Sequence, residues 1–415
     1  METQSAQASL EDWAHKVEEL LLKDDGPHKI QGGVRSLYRH SGKGHLLATA
    51  QKLLSADVKA VAILVGSPNA SIMWPPTDTD GPGGAFAVAQ ALQKLGRRVV
   101  IITDKIHHGQ VLPALKSAGL RLLELPETEE DLCLQELPVD IAACVTFPNK
   151  NCWRTGLDDV RLQKVYEEVD MLLNVGRLGP GKDGLYRAHD RANVTIFESH
   201  FDRFFAVPGE WISKKTHPVL TAVIGELGNE MGMGDVKEAV KETVEHGSEI
   251  ACVIPADLTI IASTVNWGAW ALCAMLAVLA VAARPNQNAA DLLPQADSQQ
   301  QVLHVLVEEG ARCGVSWARE EIIDNMEASR HWDFIDTLRQ SFSQYAQSGS
   351  ASGSETGVPA SGVGDEKART GRPSGTLQDS SEAGNLKSGG HEVEYGQTIE
   401  SQENPPTVMG ARAAS

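Results

Sequence analysis

The chain has 415 residues, 42% of them hydrophobic, enough for one large α/β domain or two to three smaller ones without disulfide or metal staples. Its formal charge of −18 excludes a nucleic-acid partner, because phosphate binding needs a basic surface. None of the six cysteines forms a C-x-x-C pair, which excludes a zinc ribbon or thioredoxin-like site and points to a reducing compartment.

The N-terminal stretch METQSAQASLEDWAHKVEELL has no apolar core segment and no arginine, so neither a secretory signal nor a transit peptide is predicted. The cytoplasm is favoured over the mitochondrial matrix. Leu10, Trp13, Val17, Leu20 and Leu21 fall on one face of an amphipathic helix with Ser9 as its cap. Further along, Lys59–Val65, Arg98–Thr103, Val139–Val145, Val169–Val175, Leu220–Ile224, Glu249–Ile254 and Leu258–Ala262 are short apolar runs. They read as strands covered on both faces. Gly84–Leu95, Gln110–Ala118, Asp235–Glu245 and Ser298–Arg312 have helical periodicity. This alternation predicts a three-layer, Rossmann-like α/β fold, a mainly parallel sheet with helices on both faces.

From Thr259 to Ala283 about 25 residues carry no charge, long enough to span a bilayer. The run reads instead as a buried strand, a break at Asn266–Gly268 and a buried helix over Trp270–Ala283, so no membrane partner is expected. Beyond residue 345 the chain turns to Ser, Gly and Pro and cannot bury enough surface to offset its ordering entropy. The predicted organisation is a folded domain over 1–345 and a disordered tail over 346–415.

Ligands of open parallel sheets bind beyond the carboxyl ends of the strands, and polar loops follow several of these strands. After Lys59–Val65 comes a loop of about 17 residues that ends in TDTDGPGG, long for a compact domain. There Gly81, Gly83 and Gly84 open a helix whose bare amides would take a carboxylate or phosphate. Asp78 and Asp80 would hold an amine or a divalent cation. The alternative is a plain helix cap. Asp104, Arg177 and Asn266 follow other strands, and His107 and His108 follow Asp104 as weaker ligand candidates. The stretch GELGNEMGMG at 225–234 sets Glu226, Asn229 and Glu230 among glycines that allow close backbone approach. Glu230 is the candidate acid–base group, or else a cap for the next helix. As a base, Glu230→Gln would lower turnover and leave the melting temperature unchanged. The first strand is followed by GSPNAS, which lacks the later glycines of a G-x-G-x-x-G dinucleotide fingerprint, and no P-loop or G-x-S-x-G pattern occurs, so a nicotinamide cofactor and a serine nucleophile are not expected.

TDGPGGA at 79–85, GNEMGMGDVKEAV at 228–240 and ACVIPADLTIIASTVNWGAWAL at 251–272 resemble the C-terminal domain of the D-glutamate cyclase family, over roughly residues 43–339. The resemblance implies a lyase that closes D-glutamate to 5-oxo-D-proline with loss of water. The chain departs from the family pattern in lacking the N-terminal hydro-lyase-like module. It also carries Glu226 and Leu227 where the family usually has Asp and Gly, and Gly176 where it usually has an acid. On this reading Glu230 and Asp80 are catalytic. Gly81, Gly83, Gly84, Arg177, Asn229 and Asn266 bind the amino-acid substrate, with Arg177 clamping its α-carboxylate. Asp78, Asp104 and Glu226 would hold a divalent cation, Mg²⁺ or Mn²⁺. The alternatives are a non-catalytic ligand-binding module of the same fold and a different enzyme of small carboxylates or phosphates.

Overall fold

The computed structural model describes residues 2–23, 30, 33–41, 44–68, 74–125, 134–206, 218–283 and 288–351. Seven strands form one fully parallel sheet: β1 Ala60–Leu64, β2 Arg98–Asp104, β3 Leu122–Glu124, β4 Ala142–Phe147, β5 Met171–Val175, β6 Leu220–Gly225 and β7 Leu258–Ile261. Their spatial order is β3-β4-β2-β1-β5-β6-β7. The chain runs outward from β1 in one direction, returns to β5 and runs outward in the other. The β1/β5 boundary is therefore the topological switch point, where a crevice opens beyond the strand ends.

Burial of the sheet on both faces follows from the strand sequences. All five residues of β1 and all five of β5 are buried. Ile63, Leu173, Ala222, Ile224 and Ile260 face one core, built with helices α1 Glu2–Leu21, α3 His45–Leu54, α4 Pro82–Lys94, α5 Lys105–Ser117, α10 Val265–Ala283, α11 Ala296–Glu308 and α12 Ala328–Ala351. Ala62, Leu64, Leu172 and Val223 face the other side. There they meet α2 Val34–Ser41, α6 Leu157–Glu168, α7 Asp202–Ala206, α8 Lys237–Thr243 and α9 Gly247–Ile250. A short antiparallel hairpin, β8 Ile322–Ile323 and β9 Met326–Glu327, lies outside the sheet.

The expected three-layer α/β architecture is present, with four local corrections. Ser9 lies inside α1 rather than capping it. Glu249–Ile254 is not a strand: Gly247–Ile250 is one helical turn, and the residues after it bond to loops. Cys252 N donates to Gly228 O at 2.9 Å and Val253 N to Pro180 O at 3.0 Å. Asn266–Gly268 does not break the apolar run but belongs to the first turns of α10. That helix is long and apolar enough to cross a membrane, yet 83% of its most apolar window is buried inside this protein. Finally, α12 continues to Ala351, past the expected start of the tail. The rest of that tail lies outside the described residues.

Candidate active site

The loops after β1, β5, β6 and β7 converge at the switch point on one pocket. Its wall includes Asp78, Asp80, Glu226, Glu230 and Asp324, with Asn229, Gly176, Ser67 and His189 between them. The pocket opens to solvent and its cavity of about 50 Å³ has room for several waters.

Two buried helix N-termini build the floor. Asp80 precedes α4 but caps α10: its Oδ2 accepts from Val265 N at 2.9 Å and its Oδ1 from Asn266 N at 3.0 Å. In return Asn266 Oδ1 accepts from Gly81 N at 3.2 Å and Gly84 N at 2.6 Å, closing the start of α4. The glycines bring these helices together, since a Cβ on Gly84 would lie 2.6 Å from the Ala269 Cβ. The amides of Gly81 and Gly84 are therefore committed to Asn266 rather than offered to a ligand, contrary to the reading of the TDGPGG loop. Asp78 Oδ1 accepts from Asp80 N at 3.1 Å and Gly314 N at 3.0 Å. Only glycine fits at 314, because a Cβ there would lie 2.0 Å from Asp78 Oδ2.

Asp324 enters from the hairpin. Asp324 and Asn325 form its two-residue turn with φ of 49° and 57°, the left-handed pair that type I′ hairpins require and that Asp and Asn tolerate. Thr79 Oγ1 holds the hairpin by donating to Ile322 O at 2.9 Å. His331 on α12 bridges it to α10. Trp267 Nε1 donates to His331 Nδ1 at 2.9 Å, so the other nitrogen carries the proton that meets Ile323 O at 3.2 Å. Burial depresses His331 to about 4, which keeps it neutral in this bridge.

One carboxylate oxygen from each of Asp80, Glu226 and Asp324 lies within 4.8 Å of the others, a spacing that could hold a metal ion. Asp324 is 3% exposed and its Oδ2 has no hydrogen-bond partner among the described residues. Burial pushes Asp78 up to about 8 and Asp80 up to about 6. Burial, and then the neighbouring carboxylates, hold Glu226 and Asp324 well above the usual carboxylate range. Acids packed this way either keep protons or share a cation.

The other expected site residues have different surroundings. Glu230 faces the pocket, but its Oε1 accepts from Glu226 N at 2.7 Å and Leu227 N at 3.1 Å, and its Oε2 from Gly228 N at 2.7 Å. Arg177 is fully buried and absent from the pocket wall. It is paired with Asp104 and Glu198, donates to Gly66 O at 2.6 Å and sits over the Phe201 ring. Asp104 is held there too, with Ser199 N on its Oδ1 at 2.8 Å, so it does not join the acid cluster. His107 is buried and held near 4 by desolvation, against Thr77 Oγ1 at 2.8 Å, while His108 pairs with Glu124 on the surface. Asn229 lines the pocket and donates through Nδ2 to Arg187 O at 3.0 Å.

Fold and site together define a parallel α/β protein with an acid-lined small-molecule pocket at its switch point. The family described as D-glutamate cyclase-like, C-terminal, matches residues 17–339, and the chain belongs to it. It is similar to the human protein D-glutamate cyclase, mitochondrial, at 30% identity over 298 residues. That match covers 66% of this chain and 45% of the relative, so it spans less than half of the relative's length.

Proposed function

We propose that this pocket closes D-glutamate to 5-oxo-D-proline with loss of water, aided by Mg²⁺ or Mn²⁺ on Asp80, Glu226 and Asp324. The supporting observation is the sign of the wall. Among the described residues it presents five carboxylate side chains and no lysine or arginine. A substrate with two carboxylates would be repelled from such a surface unless a cation stood between them. Hard oxygen ligands of this kind suit Mg²⁺ and Mn²⁺.

When bound, the cation would polarise the γ-carboxylate as a Lewis acid. The chain's own groups orient the reaction. Asp80 is fixed by the first amides of α10, and Asp324 by its hairpin. Glu226 keeps a carboxylate at the position where the resemblance places an acid. Glu230 sets the turn that carries Glu226, as a positioning residue rather than a base. One N–C bond forms and one C–O bond breaks. The ammonium nitrogen gives up two protons, and the departing oxygen leaves with both as water. The human relative is named as mitochondrial, and for this chain we propose the matrix or the cytoplasm.

The test is chromatographic detection of 5-oxoproline after incubation of purified protein with D-glutamate, with and without Mn²⁺. Product formed from the D enantiomer and abolished by chelation is expected. Absence of product under all conditions would sink the reading.

A further inference from the structure

We propose that His331 and Thr79 are positioning residues that fix the spacing of Asp80 and Asp324, and thereby set which divalent cation the acid cluster prefers. The inference rests on the cation assigned above to Asp80, Glu226 and Asp324. It starts from how little the Asp324 hairpin can hold by itself. β8 and β9 have two residues each, and an isolated two-stranded hairpin is marginal in water. Neither strand joins the main sheet. The hairpin backbone is anchored instead by side chains from outside it. Thr79 Oγ1 donates to Ile322 O at 2.9 Å, and His331 Nε2 donates to Ile323 O at 3.2 Å. Asn325 N donates to Cys313 Sγ at 3.2 Å.

The first two anchors lead back to Asp80. Thr79 is its chain neighbour. His331 Nδ1 accepts from Trp267 Nε1 at 2.9 Å. Trp267 follows Val265 and Asn266, whose amides hold the Asp80 carboxylate at 2.9 and 3.0 Å. The bonds therefore close a ring: from Thr79 and Asp80, through the first turn of α10 and His331, to the hairpin and back to Thr79. His331 is a stiff member of that ring. It is fully buried, and its imidazole lies 5.9 Å from the Trp267 ring, 6.3 Å from Trp270 and 6.4 Å from Trp332. Trp267 in turn stacks on Phe334 at 4.4 Å. An imidazole that accepts at one nitrogen and donates at the other is a strut of fixed length between α10 and the hairpin. Two of the three acids of the cluster are thus held at one separation. Oxygen ligands stand about 2.0–2.1 Å from Mg²⁺ and about 2.3–2.6 Å from Ca²⁺. Acids held at one spacing discriminate between a small and a large cation, whereas acids free to shift adapt to both.

The experiment measures Mn²⁺ and Ca²⁺ affinities by calorimetry, and the melting temperature in chelator, for wild type, His331→Phe, His331→Gln and Thr79→Val. His331→Phe fills the space without accepting or donating, whereas His331→Gln keeps a donor and an acceptor. Thr79→Val removes only a hydroxyl, and it decides the question in the same way if His331→Phe does not fold. His331→Phe and Thr79→Val are expected to weaken Mn²⁺ binding by ~10–100-fold. Ca²⁺ binding should weaken less, so that the preference for Mn²⁺ shrinks, and His331→Gln should recover most of it. A role in core packing alone would lower the melting temperature and leave the ratio of the two affinities unmoved. A ratio equal to wild type in the folded variants overturns the assignment and leaves the cation reading standing. A wild type without affinity for Mn²⁺ overturns both.

Discussion

Glu230 shows how a residue can sit in a pocket wall and still serve the fold. Three amides converge on its carboxylate, from the three residues that carry the turn around Glu226. Hydrogen bonds to a charged acceptor contribute about 1.5–3 kcal/mol each, and an amide nitrogen placed among these donors would face like polarity. Glu230→Gln is therefore expected to lower the free energy of unfolding by roughly 2–3 kcal/mol in a denaturant titration. An unchanged midpoint would return Glu230 to the list of acid–base groups. The sequence pointed to this loop, which lines the pocket, because glycines around acids point to close backbone approach. It could not show which acid faces amides and which faces acids, since that depends on how the loop turns back on itself. Asp324 was invisible for a related reason. It lies far along the chain from Asp80 and Glu226, in IIDNME, where only the two-residue Asp-Asn turn signals a hairpin.

At the scale of elements, α4 and α10 cap one another across the pocket floor. Asp80 accepts two amides of α10, and Asn266 accepts two of α4. The start of α4 has no side-chain cap from its own preceding residue and depends on Asn266, whereas α10 also has Thr264 Oγ1, which accepts from Trp267 N at 3.3 Å. Asn266→Ala would leave the buried amides of Gly81 and Gly84 without their acceptor. The expected cost is roughly 2–4 kcal/mol, from about 1–3 kcal/mol per unsatisfied buried group. Denaturant unfolding would measure it, and a loss below about 0.5 kcal/mol, the low end for an ordinary cap, would show that the cross-cap is dispensable. Six of the seven parallel strands were legible as apolar runs, because strands buried on both faces need no alternation. The same rule misled at Glu249–Ile254. That segment is apolar because it packs under the site loops, and its amides bond to Gly228 and Pro180 rather than to a strand. β3 was missed for the opposite reason: it is an edge strand of three residues, with Leu123 and Glu124 exposed.

For the whole molecule, the switch point could be anticipated from the alternation of strands and helices, but the electrostatic character of the pocket could not. An acidic chain does not imply an acidic cavity. The cavity arises because elements as distant in sequence as Asp78 and Asp324 meet at one sheet boundary. That concentration of charge makes stability depend on pH and on cations. Asp78 near 8 and Asp80 near 6, with Glu226 and Asp324 also raised, bind protons in the folded state that the unfolded chain has released above about pH 4. Glu198, at about 8, adds to this from outside the cluster. The folded state thus holds more protons, and stability falls as pH rises from about 4 towards 8. Below about pH 6.5 the neutral His107 and His331, both near 4, act in the opposite sense, because the unfolded chain protonates them first. Between about pH 6.5 and pH 8 the acids act alone among these groups. A cation on Asp80, Glu226 and Asp324 would replace protons there and stabilise the fold by mass action. The direct measurement is the melting temperature of wild type and Asp324→Asn at pH 6.5 and pH 8.5, each in chelator and in excess Mn²⁺. The account predicts that wild type in chelator melts lower at pH 8.5 and that Mn²⁺ raises its melting temperature most at that pH. Asp324→Asn should respond weakly to Mn²⁺. A wild-type melting temperature indifferent to Mn²⁺ at both pH values would contradict it.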